Sequence, residues 1–257
     1  MNAWIISFFL TVLNMPGTEG QKPSTEQIAL VRAKSKEMFV NGGLENYSQV
    51  DINKLEQDEL VELFWLHCFW LSGEQMDETV DMINKTFRWR KEFGVNELNR
   101  ESVRQKLVDN GALTVREERS KNGNRILVFC IRKHIKDSKD LEDMKKYMVL
   151  LLEDLRKDNF TEVVTMVFDC SGAGIRNIDL DFIKFLVGLF QHYYPCMLGN
   201  ILVFDLPWIL TAAFTIIKVW FGYFENCQYF SLFSGLASAT SGQSYEDGEQ
   251  EKSWRFF

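Results

Sequence analysis

The chain has 257 residues, is 46% hydrophobic and carries a formal charge of −7. That length holds one large domain or two small ones, and the acidic balance excludes the basic footprint that a nucleic-acid backbone requires. Five cysteines without a Cys-x-x-Cys pair, and only three histidines, count against both a zinc site and a disulfide framework, so neither a metal nor a cofactor is expected.

The first segment, residues 1–23, stands apart. Ala3 to Leu13 is an apolar run of the length of a signal-peptide core, with Thr18 and Gly20 placed to border a cleavage site. No Lys or Arg precedes it. A shallow membrane anchor, or an N-terminus from an unusual transcript, accounts for it as well. The sequons at Asn46, Asn84 and Asn159 matter only if the chain is secreted.

Residues 24–100 read as a helical lobe. Ser24 and Thr25 open a capped helix with Ile28, Val31 and Met38 on its apolar face. Gly42-Gly43 breaks it. A helix from about Gln57 to Leu71 follows, then one carrying Met76, Val80, Ile83 and Phe87 at i, i+4, i+7 and i+11. Arg88-Trp89-Arg90-Lys91 suits the latter's C-terminus.

From residue 101 the period changes. Leu113–Glu117 and Arg125–Arg132 are predicted strands joined by a turn at Lys121-Asn122-Gly123-Asn124. The basic run Arg132, Lys133, His134 and Lys136 reads as a solvated face. Asp140–Asp158 is an amphipathic helix with Leu141, Met144, Met148, Leu151, Leu152 and Leu155 inward, and Val163–Phe168 is a strand apolar on both faces. Leu180–Tyr193 is an apolar helix stopped by Pro195. Ile201–Phe204 is a short buried strand, and Pro207 starts a helix from Trp208 to Phe221. That helix has only Thr211, Thr215 and Lys218 as polar side chains. It lies against a core, a lipid or a bilayer, but is shorter than the roughly 20 residues a membrane span needs. Residues 223–257 are expected to be a divergent, largely disordered tail, rich in Ser, Gly and acid from Ser234 to Lys252. Strands alternating with helices give an α/β fold with a mostly parallel sheet.

One rival chemistry is written in the loop after Val163–Phe168. Cys170 and Arg176 stand six apart around a Gly-containing loop, the layout of a cysteine phosphatase, with Asp205 available as general acid. Asp169 adjoins the thiol, and a neighbouring carboxylate raises a thiol pKa. No Ser or Thr follows Arg176, so a chance match is the commoner explanation. His192 near Cys196 suggests a thiol–imidazole pair, against the ordinary case of a structural histidine at a helix end.

In order along the chain, Trp89-Arg90, Asn122-Gly123, the strand ending in Asp169, Tyr193-Tyr194-Pro195, and Ile201 to Trp220 with Phe204-Asp205-Leu206-Pro207-Trp208 resemble the CRAL-TRIO lipid-binding domain family over about Ser24 to Gly222. The resemblance implies a helical N-terminal lobe, an α/β lobe at 101–222 that encloses a lipid, and a mobile gate formed by the last helix. Phosphatidylinositol-handling members carry an acidic residue after Tyr-Tyr-Pro, where Cys196 stands here, and a Lys beyond the gate that has no counterpart. Inositol headgroup recognition is therefore not implied. The family's closing strand and C-terminal wrap are not recognisable, so the fold is expected to be C-terminally incomplete, as in a truncated form.

The function expected is non-enzymatic binding of a hydrophobic lipid at a membrane surface, for transfer or sensing at the cytoplasmic face of endomembranes, with no nucleic acid as partner and no catalytic residue. Val128, Phe129, Val167, Phe168, Phe182 and Phe204 are the pocket candidates, with half of those on strands expected to face in. Trp208, Phe214, Ile217, Trp220 and Phe221 are the gate candidates. An interaction module with a collapsed pocket is the alternative.

Overall fold

The computed structural model describes residues 22–72, 75–134, 136, 138–210 and 230–233. Its helical part is built from α1 (Thr25–Asn41), α2 (Gln49–Lys54), α3 (Asp58–Ser72) and α4 (Met76–Phe93). The Ser24 hydroxyl caps α1 by accepting from the Gln27 amide at 3.3 Å, and the Gln27 side chain accepts from the Ser24 amide at 2.7 Å. This reciprocal cap satisfies two otherwise orphaned donors. The expected apolar stripes are buried: Ile28 and Val31 on α1, and Val80, Ile83 and Phe87 on α4, all in one cluster with Phe39, Phe64 and Trp65.

A second part follows α5 (Gln105–Asn110). It is a five-stranded sheet in the order β1 (Leu113–Arg119), β2 (Arg125–Cys130), β3 (Val164–Asp169), β4 (Leu198–Phe204), β5 (Phe230–Phe233). The β1–β2 pair is antiparallel and the other pairs are parallel. Gly123 closes the β1–β2 hairpin at φ 81°, the left-handed value its turn requires. Two helices, α6 (Ser138–Arg156) and α7 (Leu180–Gly188), connect the parallel strands, and α7 continues into a wide π turn at Leu189–Tyr193. Met144, Met148, Leu151 and Leu152 of α6, with Phe182, Ile183, Leu186 and Val187 of α7, pack on Leu127, Phe129, Met166, Phe168, Ile201 and Val203 of the sheet. At about 25 cal/mol per Å² of apolar surface, this cluster is the main source of folding free energy in the α/β part.

The α/β architecture matches the expectation, with four departures. Two short helices, α2 and α5, were not anticipated, because six residues carry too few turns to show a period. Phe230–Phe233, in the aromatic part of the segment expected to be divergent and ahead of the stretch from Ser234 expected to be disordered, is a strand paired in parallel with β4. Four residues cannot signal a strand by themselves; the pairing partner decides. The basic run is not uniformly solvated: Arg132 and Lys133 are exposed, but His134 is buried against Asp179 at 3.1 Å. Among the described residues, no helix is long and apolar enough to cross a membrane; Ala3–Leu13 lies outside them.

Gly94 ends α4 at φ 74°, with its amide returning to Arg90 and Lys91. An L side chain there is strained. Gly94→Ala is expected to lower stability by about 1 kcal/mol, read as a lower urea midpoint at unchanged slope.

Candidate functional site

The pleat of the sheet divides the six pocket candidates. Successive residues of a strand point to opposite faces. Phe129 and Phe168 lie on the face covered by α6 and α7, where Phe182 of α7 meets Phe129 with ring centroids 5.4 Å apart. Val128 and Val167 lie on the other face, in a separate small cluster with Ile126 and Leu202. Phe204, two residues on from Leu202, shares that face by alternation and is half-buried. The candidates therefore form two groups of three, one on each face of the sheet. No residue of the described helices joins the Ile126–Val128–Val167 cluster.

The segment expected to form a gate begins at the edge of the larger group. Leu206 packs against the α6–α7 cluster and Leu210 is buried in it. Trp208 is 85% exposed and Ile209 is 42% exposed. An 85% exposed tryptophan next to a buried leucine presents a large apolar surface to solvent, which folding alone does not favour. Phe214, Ile217, Trp220 and Phe221 lie outside the described residues.

Tyr193-Tyr194-Pro195-Cys196 is where the two parts of the protein meet. Arg90 of α4 donates from Nε to Asp51 of α2 at 2.9 Å, and from Nη1 and Nη2 to the two oxygens of Glu153 on α6 at 2.8 and 3.0 Å. Tyr194 donates its hydroxyl to the same Glu153 at 2.7 Å. Asn96 donates to the remaining Asp51 oxygen at 2.7 Å. Burial works against the charge on Glu153, but the Arg90 and Tyr194 hydrogen bonds outweigh it and hold its carboxyl below the usual value. Outside this ionic centre, Tyr193 stacks on Trp89 with centroids 4.1 Å apart and planes at 5°. Thr86 donates to the His192 carbonyl at 2.9 Å.

The histidine that meets Cys196 is His67, not His192. Its Nε2 lies 3.0 Å from the Gln191 carbonyl and its Nδ1 accepts from the Cys196 amide at 3.2 Å. These partners select the neutral Nε2–H tautomer. Burial pulls its pKa down to about 4. Cys196 itself takes φ 53° and donates its thiol to the Leu63 carbonyl at 3.4 Å. The contact joins residues 129 apart, so no local pattern announces it. The sequence-level signal is that His67 sits in the otherwise apolar run Leu63–Leu71 of α3.

The phosphatase layout does not assemble. Cys170 is buried, and burial, with Asp169 and Asp205 adding to it, pushes its thiol up to about 12. A protonated thiol is no nucleophile. Arg176 is exposed in a short 3-10 turn at Ile175–Asn177, and the Gly174 amide is held by the Asn177 side chain at 2.8 Å rather than left open to an anion. Among the described residues no group of His, Cys, Asp and Glu is placed to hold a metal.

Residues 109–222 match the model of the CRAL/TRIO domain family. The resemblance read from the motifs thus holds for the α/β part. Of the curated relatives, phosphatidylinositol transfer protein CSR1 of Eremothecium gossypii is 32% identical over 117 residues, 45% of this chain and 27% of that protein. Phosphatidylinositol transfer protein SFH5 of Candida glabrata is 28% identical over 156 residues, 55% of this chain and 53% of that protein. The chain thus spans from about a quarter to about half the length of these relatives. The crystal structure of Sfh5 superposes with a TM-score of 0.59 over 82% of both chains at 18% identity, a likeness of fold.

Two outcomes test the junction. Arg90→Met leaves Asp51 and Glu153 without their shared counterion and is expected to cost about 3–5 kcal/mol, because an uncompensated buried carboxylate is far costlier than the net worth of the pair; urea denaturation measures it. His67 has a folded pKa below its ordinary value. Its contribution is therefore present above about pH 6.5 and lost as pH falls through that value toward about 4. Between pH 7 and pH 4.5 the wild-type urea midpoint is expected to fall further than that of His67→Asn; equal falls would remove the role assigned to His67.

Proposed function

We propose that the protein binds a hydrophobic lipid and carries or presents it at a membrane surface, with no bond made or broken. The observation that supports this most directly is the entry of the gate segment: Leu210 is anchored in the Phe129–Phe168–Phe182 cluster while Trp208, two residues earlier, faces solvent. The lipid would sit against the opposite face of the sheet, that of Val128, Val167 and Phe204, which no described helix covers, and Trp208 would enter the bilayer when the segment after Leu210 moves. Aromatic side chains with a polar N–H favour the membrane interface. Phe129, Phe168 and Phe182, packed under α6 and α7, would form the solid back of the sheet rather than the chamber. The match to the CRAL/TRIO domain and the names of two relatives as phosphatidylinositol transfer proteins support lipid transfer as the task.

The headgroup is a separate matter. Cys196 occupies the position after Tyr-Tyr-Pro and is engaged internally by His67 and Leu63. That supports a ligand chosen for its apolar body rather than for an inositol ring. The finer resemblance is to the CRAL-TRIO domain of motile sperm domain-containing protein 2, through Phe204 to Trp208 and Ile217-Lys218 with Trp220. On that likeness the place of action would be the cytoplasmic face of endomembranes, the endoplasmic reticulum included. The rival, a collapsed pocket whose surface alone matters, is favoured by the burial of Ile126 and Val167, at 1% and 3% exposure.

Native mass spectrometry of the purified chain and fluorescent-lipid transfer between liposomes separate the two. A co-purified lipid is expected, and Trp208→Glu is expected to slow transfer roughly tenfold, the loss of one aromatic side chain's burial. A chain that carries no lipid and extracts none from liposomes has a collapsed pocket.

A further inference from the structure

Between the helical part and the α/β part lies a cavity of about 360 Å³ that has no share in the lipid seat. Its walls include Asp51, Lys54 and Arg90 on one side and Glu153, Arg156 and Lys157 on the other. We propose that this cavity is a second binding site, for a phosphate or phosphate-monoester group held by Arg156 and Lys157.

The charges around the cavity do not cancel. Both oxygens of Glu153 are committed to Arg90, one of them also to Tyr194. Asp51 is committed to Arg90, Asn96 and Lys54, the last at 3.3 Å. The other acid in the wall, Asp154, is paired with Arg100 at 3.1 Å. Among the described residues no carboxylate forms an ion pair with Arg156. Its Nη2 donates to the Pro195 carbonyl at 2.6 Å, and its Nε is buried without an acceptor. Lys157 is exposed at the rim and makes no ion pair among the described residues.

A guanidinium taken out of water without a counterion is costly. Burial drags the Arg156 pKa down to about 10, with a smaller push from Arg90, and the neighbouring Cys196, Tyr194 and Glu153 offset it only in part. An anion entering the cavity removes that penalty. A guanidinium fork beside an ammonium suits the several acceptor oxygens of phosphate. The volume accepts a phosphate with a small organic group attached, but lies at the low end of drug-sized pockets. The same chemistry is offered by a soluble phosphate ester and by a phospholipid headgroup. The cavity lies at the lobe junction, so its occupant bears on how firmly α6 and the Tyr193–Pro195 turn are held to α4.

The test uses the full chain, with inorganic phosphate, glycerol 3-phosphate, and phosphatidylcholine vesicles containing phosphatidic acid as probes. Calorimetric titration is expected to show phosphate binding that Arg156→Gln weakens at least about tenfold and Lys157→Gln by a smaller factor. Phosphate is expected to raise the urea midpoint of the wild type but not of Arg156→Gln. Lys157 is exposed, so its variant keeps the fold whatever becomes of the other. Arg156-dependent binding of the soluble probes identifies a soluble ligand; a response confined to the vesicles identifies a headgroup. Equal affinities in the wild type and both variants, or no binding of any probe by the wild type, overturn the assignment.

Discussion

Arg90 is the side chain on which the two parts of the protein turn. It leaves α4 and reaches carboxylates on either side, Asp51 within the helical part and Glu153 on α6, with all three of its nitrogens engaged. A buried ion pair of this kind adds little net stability over an apolar replacement, since desolvation consumes most of the Coulomb gain. What it supplies is geometry. The planar fork admits one arrangement of the Glu153 carboxylate, and Tyr194 then takes up the lone pair that remains. The turn that follows α7 is thereby placed against α3 and α4, where Trp89 stacks on Tyr193 and His67 receives the Cys196 amide.

This arrangement makes the helical part a support for the sheet rather than a separate module. The face covered by α6 and α7 is rigid at its base, where Leu127, Met148, Leu152 and Val164 are all wholly buried. It becomes open in character only at its end, where β4 gives way to Pro207 and Trp208.

Among the described residues, buried ionisable pairs sit in two places: Asp51, Arg90 and Glu153 at the lobe junction, and the His134–Asp179 pair at the start of α7. Cys170 belongs to neither. Placed between an apolar wall and two carboxylates, its thiol stays protonated, and a loop with the spacing of a phosphatase has none of its chemistry.

Composition and periodicity alone determined much of this protein. The helical start, the β hairpin at Asn122-Gly123, the amphipathic α6 and the apolar β3 are all encoded within a dozen or so residues each, by capping, turn chemistry and side-chain spacing. That a greasy segment follows Pro207 was equally legible. Which pocket candidates share a face needed the sheet, because Val128 and Phe129 are neighbours in sequence and opposites in the pleat. The partners of Arg90, the place of His67 and the solitary state of Arg156 needed the whole fold. They depend on contacts between residues 39 to 129 positions apart. Such pairings leave no periodic trace, since a charged side chain looks the same in sequence whether its counterion is across the lobe junction or missing.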